Sequence, residues 1–380
     1  MIAPITPEER EQAIQDALAI IRRNIPRYQG CCQNHSSLHG WYPTCKNDQW
    51  TTGFWPGELW LSWEFTHDDA CKRSGEEAVD SFLERIIRKT AMDHHDMGFL
   101  YTPSCVAPFL LTGNGKAREA ALLAADQLTT RFQKTGGFLQ AWGVMGRKED
   151  YRYIIDCLLN LPLLYWASEQ TGENRYRDIA LTHTATCLNH SFRNDFSTYH
   201  TFFMDPVTGE GVRGETCQGY RSDSSWARGQ AWAIYGLALA YKYTKDSKLP
   251  SLFDGVVHYF LSRLPEDMIP YWDLMFQAGD EPRDSSSASI AACGLLEMGR
   301  LLATDAYEKT AKELMGSLVR SCRVKPDDDA NGLVYHGTYS KKSPYNSCTE
   351  EGVDECVSWG DYFYLEALMR LENPSWRSYW

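Results

Sequence analysis

Several signatures that reveal an enzyme's chemistry are missing from this chain. None of its 12 cysteines forms a Cys-x-x-Cys pair, and no Cys/His cluster has zinc spacing. There is no His-Glu-x-x-His, no Gly-x-Ser-x-Gly elbow, no P-loop and no dinucleotide fingerprint. Zinc hydrolysis, serine hydrolysis, nucleotide triphosphate cleavage and Rossmann-type redox chemistry therefore lack support. Basic blocks are missing too. With 38 Lys+Arg against 50 Asp+Glu the net charge is −12, so nucleic acid is not an expected partner. That charge also opposes an anionic ligand, which local groups would have to hold. No apolar run reaches the ~18 residues of a membrane span, so no membrane partner is expected. Met1-Ile2-Ala3-Pro4 lacks the basic and apolar regions of a secretion signal. The expectation is a cytoplasmic chain with reduced thiols.

Aromatic residues are abundant, with 13 Trp and 21 Tyr. Most belong in a core. The remainder suit a sugar cleft, where ring faces stack on pyranose C–H groups and polar tips reach hydroxyls.

Hydrophobic periodicity is helical throughout. Thr6-Pro7-Glu8-Glu9 combines a cap, Pro at the first helical position and a capping-box Glu. Ser74-x-x-Glu77 and Asp305-x-x-Glu308 read as two further helix starts. Helices are expected near 7–24, 54–66, 74–92, 99–111, 115–134, 154–170, 174–192, 224–244, 248–264, 286–303, 305–322 and 358–372. One-sided amphipathic members alternate with members apolar all round, which predicts peripheral and buried helices in alternation. Six such hairpins close most simply into an all-α (α/α)6 barrel; an open solenoid is the alternative. Thr198 to Gly219 reads as a small β insertion. No stretch has linker composition, so residues 1–380 are expected to form one catalytic domain.

In such a barrel the starts of the inner helices converge on one mouth. The polar residues there are Trp50 with Thr51 and Thr52, His95-Asp96, Asp156, Ser224, Ser225 and Arg228, Asp284 to Ser287, and Ser358, Trp359 and Asp361. Ser224, Asp284 and Ser285 read first as helix caps. Asp156 stands apart, because Tyr153-Ile154-Ile155-Asp156-Cys157-Leu158-Leu159 looks buried. Burial raises a carboxyl pKa, and a second carboxylate such as Asp96 would raise it further. That is what a general acid working near neutrality needs. The competing reading is a simple cap.

Taken together, the segments resemble a known family. They are Gln49-Trp50-Thr51-Thr52-Gly53-Phe54-Trp55-Pro56-Gly57, His95-Asp96-Met97-Gly98-Phe99 and Asp156-Cys157-Leu158-Leu159-Asn160-Leu161-Pro162. Ser224-Ser225-Trp226-Ala227-Arg228-Gly229-Gln230-Ala231-Trp232, Asp284-Ser285-Ser286-Ser287-Ala288 and Trp359-Gly360-Asp361-Tyr362-Phe363-Tyr364 follow in the same order. The chain resembles the unsaturated glucuronyl hydrolases of glycoside hydrolase family 88. The resemblance implies an (α/α)6 barrel and no metal or cofactor. It implies a substrate ending in 4,5-unsaturated glucuronic acid, the di- or oligosaccharide product of a polysaccharide lyase, most simply of glycosaminoglycan type. The implied chemistry is hydration of the vinyl ether rather than displacement at C1, so carboxylate separation does not predict stereochemistry. By motif, Asp156 is the implied acid and base and Asp96 its partner. His200 and Gln218 resemble positions near the water and the uronate, and Trp50, His95, Arg228 and Trp232 resemble substrate-contacting positions. Ser340 and Ser343 match a sulfate-binding loop of some members, but the third position holds Tyr345 rather than Lys, and Lys341 and Lys342 lie between the serines. Family 105 unsaturated rhamnogalacturonyl hydrolases, sugar 2-epimerases with paired histidines and a non-catalytic sugar-binding barrel are the alternatives.

Overall fold

A computed structural model describes residues 2–380. Helix α1 (Pro7–Asn24) carries the expected capping box, with Thr6 and Glu9 satisfying each other's backbone N–H groups. Next come the hairpin β1 (Cys32–Gln33) and β2 (Thr44–Cys45), then α2 (Phe54–Thr66) and α3 (Asp69–Arg88). Helix α4 (Met97–Tyr101) passes through a π-helical turn, Thr102–Val106, into α5 (Ala107–Thr112). Helix α6 (Gly115–Thr129) leads to β3 (Phe132–Gln133), β4 (Phe138–Leu139) and β5 (Arg152–Ile154). After α7 (Cys157–Asn160), α8 (Pro162–Thr171) and α9 (Asn174–His190) come β6 (Thr201–Met204) and β7 (Gly211–Glu215). The remaining helices are α10 (Ala227–Thr244), α11 (Leu249–Ser262), α12 (Ser285–Leu302), α13 (Glu308–Ser321) and α14 (Ser358–Glu372).

The inner ring runs through α2, α4 with its π turn, α7, α10, α12 and α14, and α14 packs back on α2. That last contact closes the ring and excludes the open solenoid. Helices α3, α6, α9, α11, α13 and α1 cover it from outside. The fold is the expected (α/α)6 barrel. Its axis is filled by aromatic rings. Phe99 lies 5.0 Å from Trp232, Trp232 5.4 Å from Phe363, and Phe363 5.8 Å from the fully buried Trp380, centroid to centroid. Glycines let the inner helices meet closely. A Cβ at Gly98 would sit 2.4 Å from the Asn160 Cα, and one at Gly294 would sit 2.7 Å from the Tyr235 Cα.

Five expectations need correction. Ser74 lies inside α3, which starts at Asp69 because Asp68 caps the Ala70 N–H at 2.9 Å. The buried stripe of Cys71, Gly75, Val79, Phe82 and Ile86 begins before Ser74 as well. Asp305 does not cap α13, which begins at Glu308 with no side-chain cap. The helix expected near 99–111 is divided by its π turn, and the one near 154–170 starts only at Cys157, after strand β5, and is divided at the Leu161–Pro162 step, since Pro has no N–H to continue the ladder. The β insertion gains a third strand: β5 pairs with β6 and β6 with β7, all antiparallel.

Candidate functional site

At the mouth of the barrel lies a cavity of about 330 Å³. Its walls include Trp50, His95, Asp96, Asp156, His200, Gln218, Arg228, Trp232 and Ser340. Nine of the ten residues to which the family resemblance gives a role therefore meet in one place, while Thr51, Thr52, Ser224, Ser225, Asp284 to Ser287, Ser358, Trp359 and Asp361 are not in its wall. The tenth, Ser343, is not in the wall. Two other cavities of similar size lie beside β1–β2 and between α12 and the end of α14, and neither gathers these residues.

Asp156 precedes α7 and Asp96 precedes α4, and neither side chain caps its helix. The cap reading of Asp156 thus fails. His95, Asp96 and Asp156 each place one polar atom within 4.8 Å of the others. His95 Nε2 stands 3.3 Å from an Asp96 oxygen and 3.5 Å from Asp156 Oδ1. The two carboxylates are 13% and 14% exposed, so they are enclosed yet reachable from the cavity. Asp156 Oδ1 is shut off from solvent and has no hydrogen-bond partner.

This environment pushes the two acids apart. Burial raises the Asp156 pKa well above the carboxylate range, the Asp96 charge adds to it, and Arg228 only partly opposes them. For Asp96 burial also pushes upward. The neighbouring His95 and His94 and the Asn160 amide outweigh it, and the pKa falls below its ordinary value. Two close carboxyls with divided pKa values hold one proton between them, and here it belongs to Asp156. The same three groups could ligate a cation, but only with Asp156 ionised, against its own burial.

The imidazoles are held neutral. Burial depresses the His200 pKa to about 3, with Arg228 and Arg152 adding to it, and burial depresses His95 as well. His200 Nδ1 accepts from the backbone N–H groups of Cys217 at 2.9 Å and Gln218 at 3.2 Å. Its proton is therefore on Nε2, as a donor.

Arg228 and Gln218 are tied to the chain beyond them. The Arg228 guanidinium donates to Asp284 at 3.0 Å and to the carbonyls of Thr338 and Tyr339, between the rings of Trp226 and Trp359. Gln218 Nε2 donates to the Tyr339 carbonyl at 3.1 Å. Trp50 donates to the Tyr339 hydroxyl at 3.2 Å and stacks on Trp359. Asp284 accepts from the hydroxyls of Ser286 and Ser287 as well as from Arg228, so it anchors Arg228 and does not cap α12. Ser224 bonds Asp273 and caps nothing, and the Ser285 hydroxyl has no partner. Asp361 is fully buried behind the mouth, bonded to the Tyr42 hydroxyl and the Val334 N–H.

In the 340–351 loop the serine hydroxyls serve the loop. Ser340 donates to the Thr349 carbonyl at 2.8 Å and Ser343 to the Tyr220 carbonyl at 2.6 Å. Lys341 pairs with Glu350, and Lys342 donates to the Asn346 carbonyl.

A model of glycosyl hydrolase family 88 matches residues 25–369. The chain belongs to glycoside hydrolase family 88. The unsaturated chondroitin disaccharide hydrolase of Streptococcus pyogenes serotype M1 is 46% identical, the match covering 99% of this chain and 94% of that protein. The crystal structure of an unsaturated glucuronyl hydrolase from Streptococcus agalactiae superposes with a TM-score of 0.94 at 44% identity, covering 99% of this chain and 95% of that one. An Asp-to-Asn mutant of an unsaturated glucuronyl hydrolase from the same species, complexed with dGlcA-GalNAc6S, gives a TM-score of 0.86 at 41% identity, with 99% and 94% covered. No described helix of this family 88 chain is long and apolar enough to cross a membrane.

Several wall residues escaped the reading by helix starts. Trp142 and Cys217 lie in loops, Glu351 and Tyr339 in the segment before α14, and Trp226 just ahead of α10. Asn160 is one helical turn past Asp156, and its Oδ1 takes the Phe99 N–H at 3.0 Å, which joins α7 to α4. The one available signal was Trp142 itself, a large ring followed by a glycine in the run Ala141-Trp142-Gly143.

Proposed function

We propose that this glycoside hydrolase releases the terminal 4,5-unsaturated glucuronic acid from lyase-generated glycosaminoglycan di- and oligosaccharides, by hydrating the C4=C5 bond. The observation that carries the reading is the pair of carboxyls with divided pKa values in the wall of a cavity that Trp50, Trp142, Trp226 and Trp232 also line.

Asp156 donates its proton to C4, and the π electrons of the double bond form the new C–H bond. The positive charge at C5 is shared with the ring oxygen. Water adds at C5, and its proton passes to the Asp156 carboxylate, which restores the acid. The resulting hemiketal opens to a ketone, and the hemiacetal left at C1 releases the remaining sugar. Asp96 stays ionised. It holds the proton on Asp156 before the transfer and accepts from a ring hydroxyl. His200 Nε2–H and Gln218 face the water and the uronate carboxylate. Trp50 and Trp232 shape the slot for the unsaturated ring.

The neutral imidazoles favour this reading over an epimerase, since neither is a proton source near neutral pH. The test is a lyase-made chondroitin disaccharide, followed by loss of the ultraviolet absorbance of its conjugated double bond. Turnover of a rhamnogalacturonan lyase product, with none of any glucuronyl substrate, would replace this proposal with the family 105 activity. Binding without turnover of either would leave a sugar-binding barrel.

A further inference from the structure

Most cations near the cavity are already engaged. Arg228 is held by Asp284 and two carbonyls, Lys341 by Glu350 and Lys342 by the Asn346 carbonyl. Arg213 on β7 pairs with Glu215. Arg152 is different. Its guanidinium forms no hydrogen bond or ion pair with any described residue, and its Nε is closed off from solvent without a partner.

Its position is nevertheless fixed. Arg152 and Ile154 share one face of β5, and Ile154 lines the cavity. Register places Arg152 beside Phe203 and Phe203 beside Arg213. The guanidinium carbon lies 4.7 Å from the centre of the Trp142 ring, which is itself in the cavity wall, and 5.1 Å from that of Phe203. Two aromatic faces thus hold a planar cation whose donors have nothing to bind. A preorganised fork of this kind suits a planar or tetrahedral oxyanion. Arg152 is half-buried and packs on the wall residue Trp142, while Ile154 and Asp156, two and four residues further along the chain, line the cavity themselves. With the unsaturated ring at Asp156, a sugar that reaches Trp142 comes within range of Arg152.

We propose that Arg152 determines substrate specificity by hydrogen-bonding an oxyanion, a sulfate ester or a uronate carboxylate, on the reducing side of the scissile linkage. This rests on the hydrolase reading given above. It also separates the anion site from the 340–345 loop, whose serines and lysines are occupied and where Tyr345 stands in place of a cation.

The test uses three unsaturated substrates: an unsulfated disaccharide, its sulfated counterparts, and an unsulfated tetrasaccharide that adds an internal carboxylate. Arg152→Gln should raise KM about tenfold for the substrates carrying the recognised anion, the loss expected for one charge-assisted contact. The kcat values and the unsulfated disaccharide should stay within about twofold of wild type. Arg152→Lys, which keeps the charge but not the fork, should fall between, and it carries the test if Arg152→Gln loses its fold. A KM rise confined to the sulfated disaccharides identifies sulfate, and one confined to the tetrasaccharide identifies the carboxylate. Equal change for all three substrates, or no change for any, overturns the proposal. If wild type turns over no unsaturated glucuronide, the hydrolase reading fails instead. Calorimetric binding of sulfated and unsulfated disaccharides to wild type and Arg152→Gln then still decides whether Arg152 reads an anion.

Discussion

Asp156→Asn is the sharpest test of the chemistry. The amide fills the carboxyl's space but has no proton to give to carbon and no base to take one from water. No neighbour can stand in. The Asp96 pKa lies below its ordinary value, so Asp96 is already ionised, and burial depresses the His95 pKa, so His95 is no acid near neutrality. General acid–base catalysis contributes about 10²–10⁴ in rate. Asp156 is assigned both halves of the proton traffic, so the upper part of that range applies. The expectation is a fall in kcat of about 10³–10⁴, equivalent to ~4–5.5 kcal/mol of barrier. Binding should survive, because Trp50, Trp232 and the Arg228 clamp are untouched, and KM should stay within about threefold. Initial rates on a lyase-made unsaturated disaccharide give kcat. Calorimetry with the same sugar gives affinity, and a melting curve confirms the fold. A well-folded variant retaining a tenth or more of wild-type kcat would refute the assignment.

The raised Asp156 pKa implies that kcat/KM falls as pH rises through it, since the proton-bearing form is the active one. In Asp96→Asn the charge that helps to raise it is gone, so this alkaline limb should move to lower pH while kcat drops roughly 10- to 100-fold; an unmoved limb would break the link between the two carboxyls. Glu58 is buried beside Asp361 with one oxygen unpartnered; burial and then the neighbouring Asp361 charge raise its pKa, and burial raises that of Asp361 to about 7. Folded-state pKa values above the unfolded ones mean stability that is present at low pH and lost as pH rises through the folded values. Glu58→Gln should therefore raise Tm at pH 8 by about 2 °C or more and leave it nearly unchanged at pH 5. Gly98→Ala should destabilise by about 1–3 kcal/mol and depress kcat, because the new Cβ forces α4 away from Asn160 on α7; full activity with wild-type Tm would show that this contact does not set the carboxyl spacing.

The ring of alternating helices was legible because it rests on long periodic segments such as Pro7–Asn24 and Ala227–Thr244. Where a helix is broken, the reading failed for identifiable reasons. Strand β5 has three residues, too few for a period of two to emerge, and Leu161–Pro162 divides a stretch whose apolar pattern is unbroken. The carboxyl pair was legible in part. The position of Asp156 gave burial, but its division of pKa from Asp96 depends on His94, His95 and Asn160, which no spacing rule connects to it. Trp142 and Tyr339 were missed because they reach the mouth from loops, where chain position says little about direction.

The carboxyl pair keeps its place despite unmet polar groups around it. Asp156 Oδ1 and His95 Nδ1 are buried without partners, and each such atom costs roughly 1–3 kcal/mol. That cost is concentrated on two short segments, α4 and α7, which open with Asp96 and Asp156 and are joined by the contact of Gly98 with Asn160 and the Phe99 N–H to Asn160 bond. Neither segment could hold the geometry alone, since helices of four or five residues are unstable in isolation. The barrel holds them: Phe99, just past Asp96, is wedged among Trp50, Phe54, Trp232 and Trp380. The aromatic axis therefore acts on chemistry as well as on stability, because it fixes the spacing that keeps the proton on Asp156. A cavity-forming change at Phe99 should on this argument loosen the pair and lower the Asp156 pKa before it unfolds the barrel. It would appear as an acid-shifted alkaline limb in a protein that still melts cooperatively.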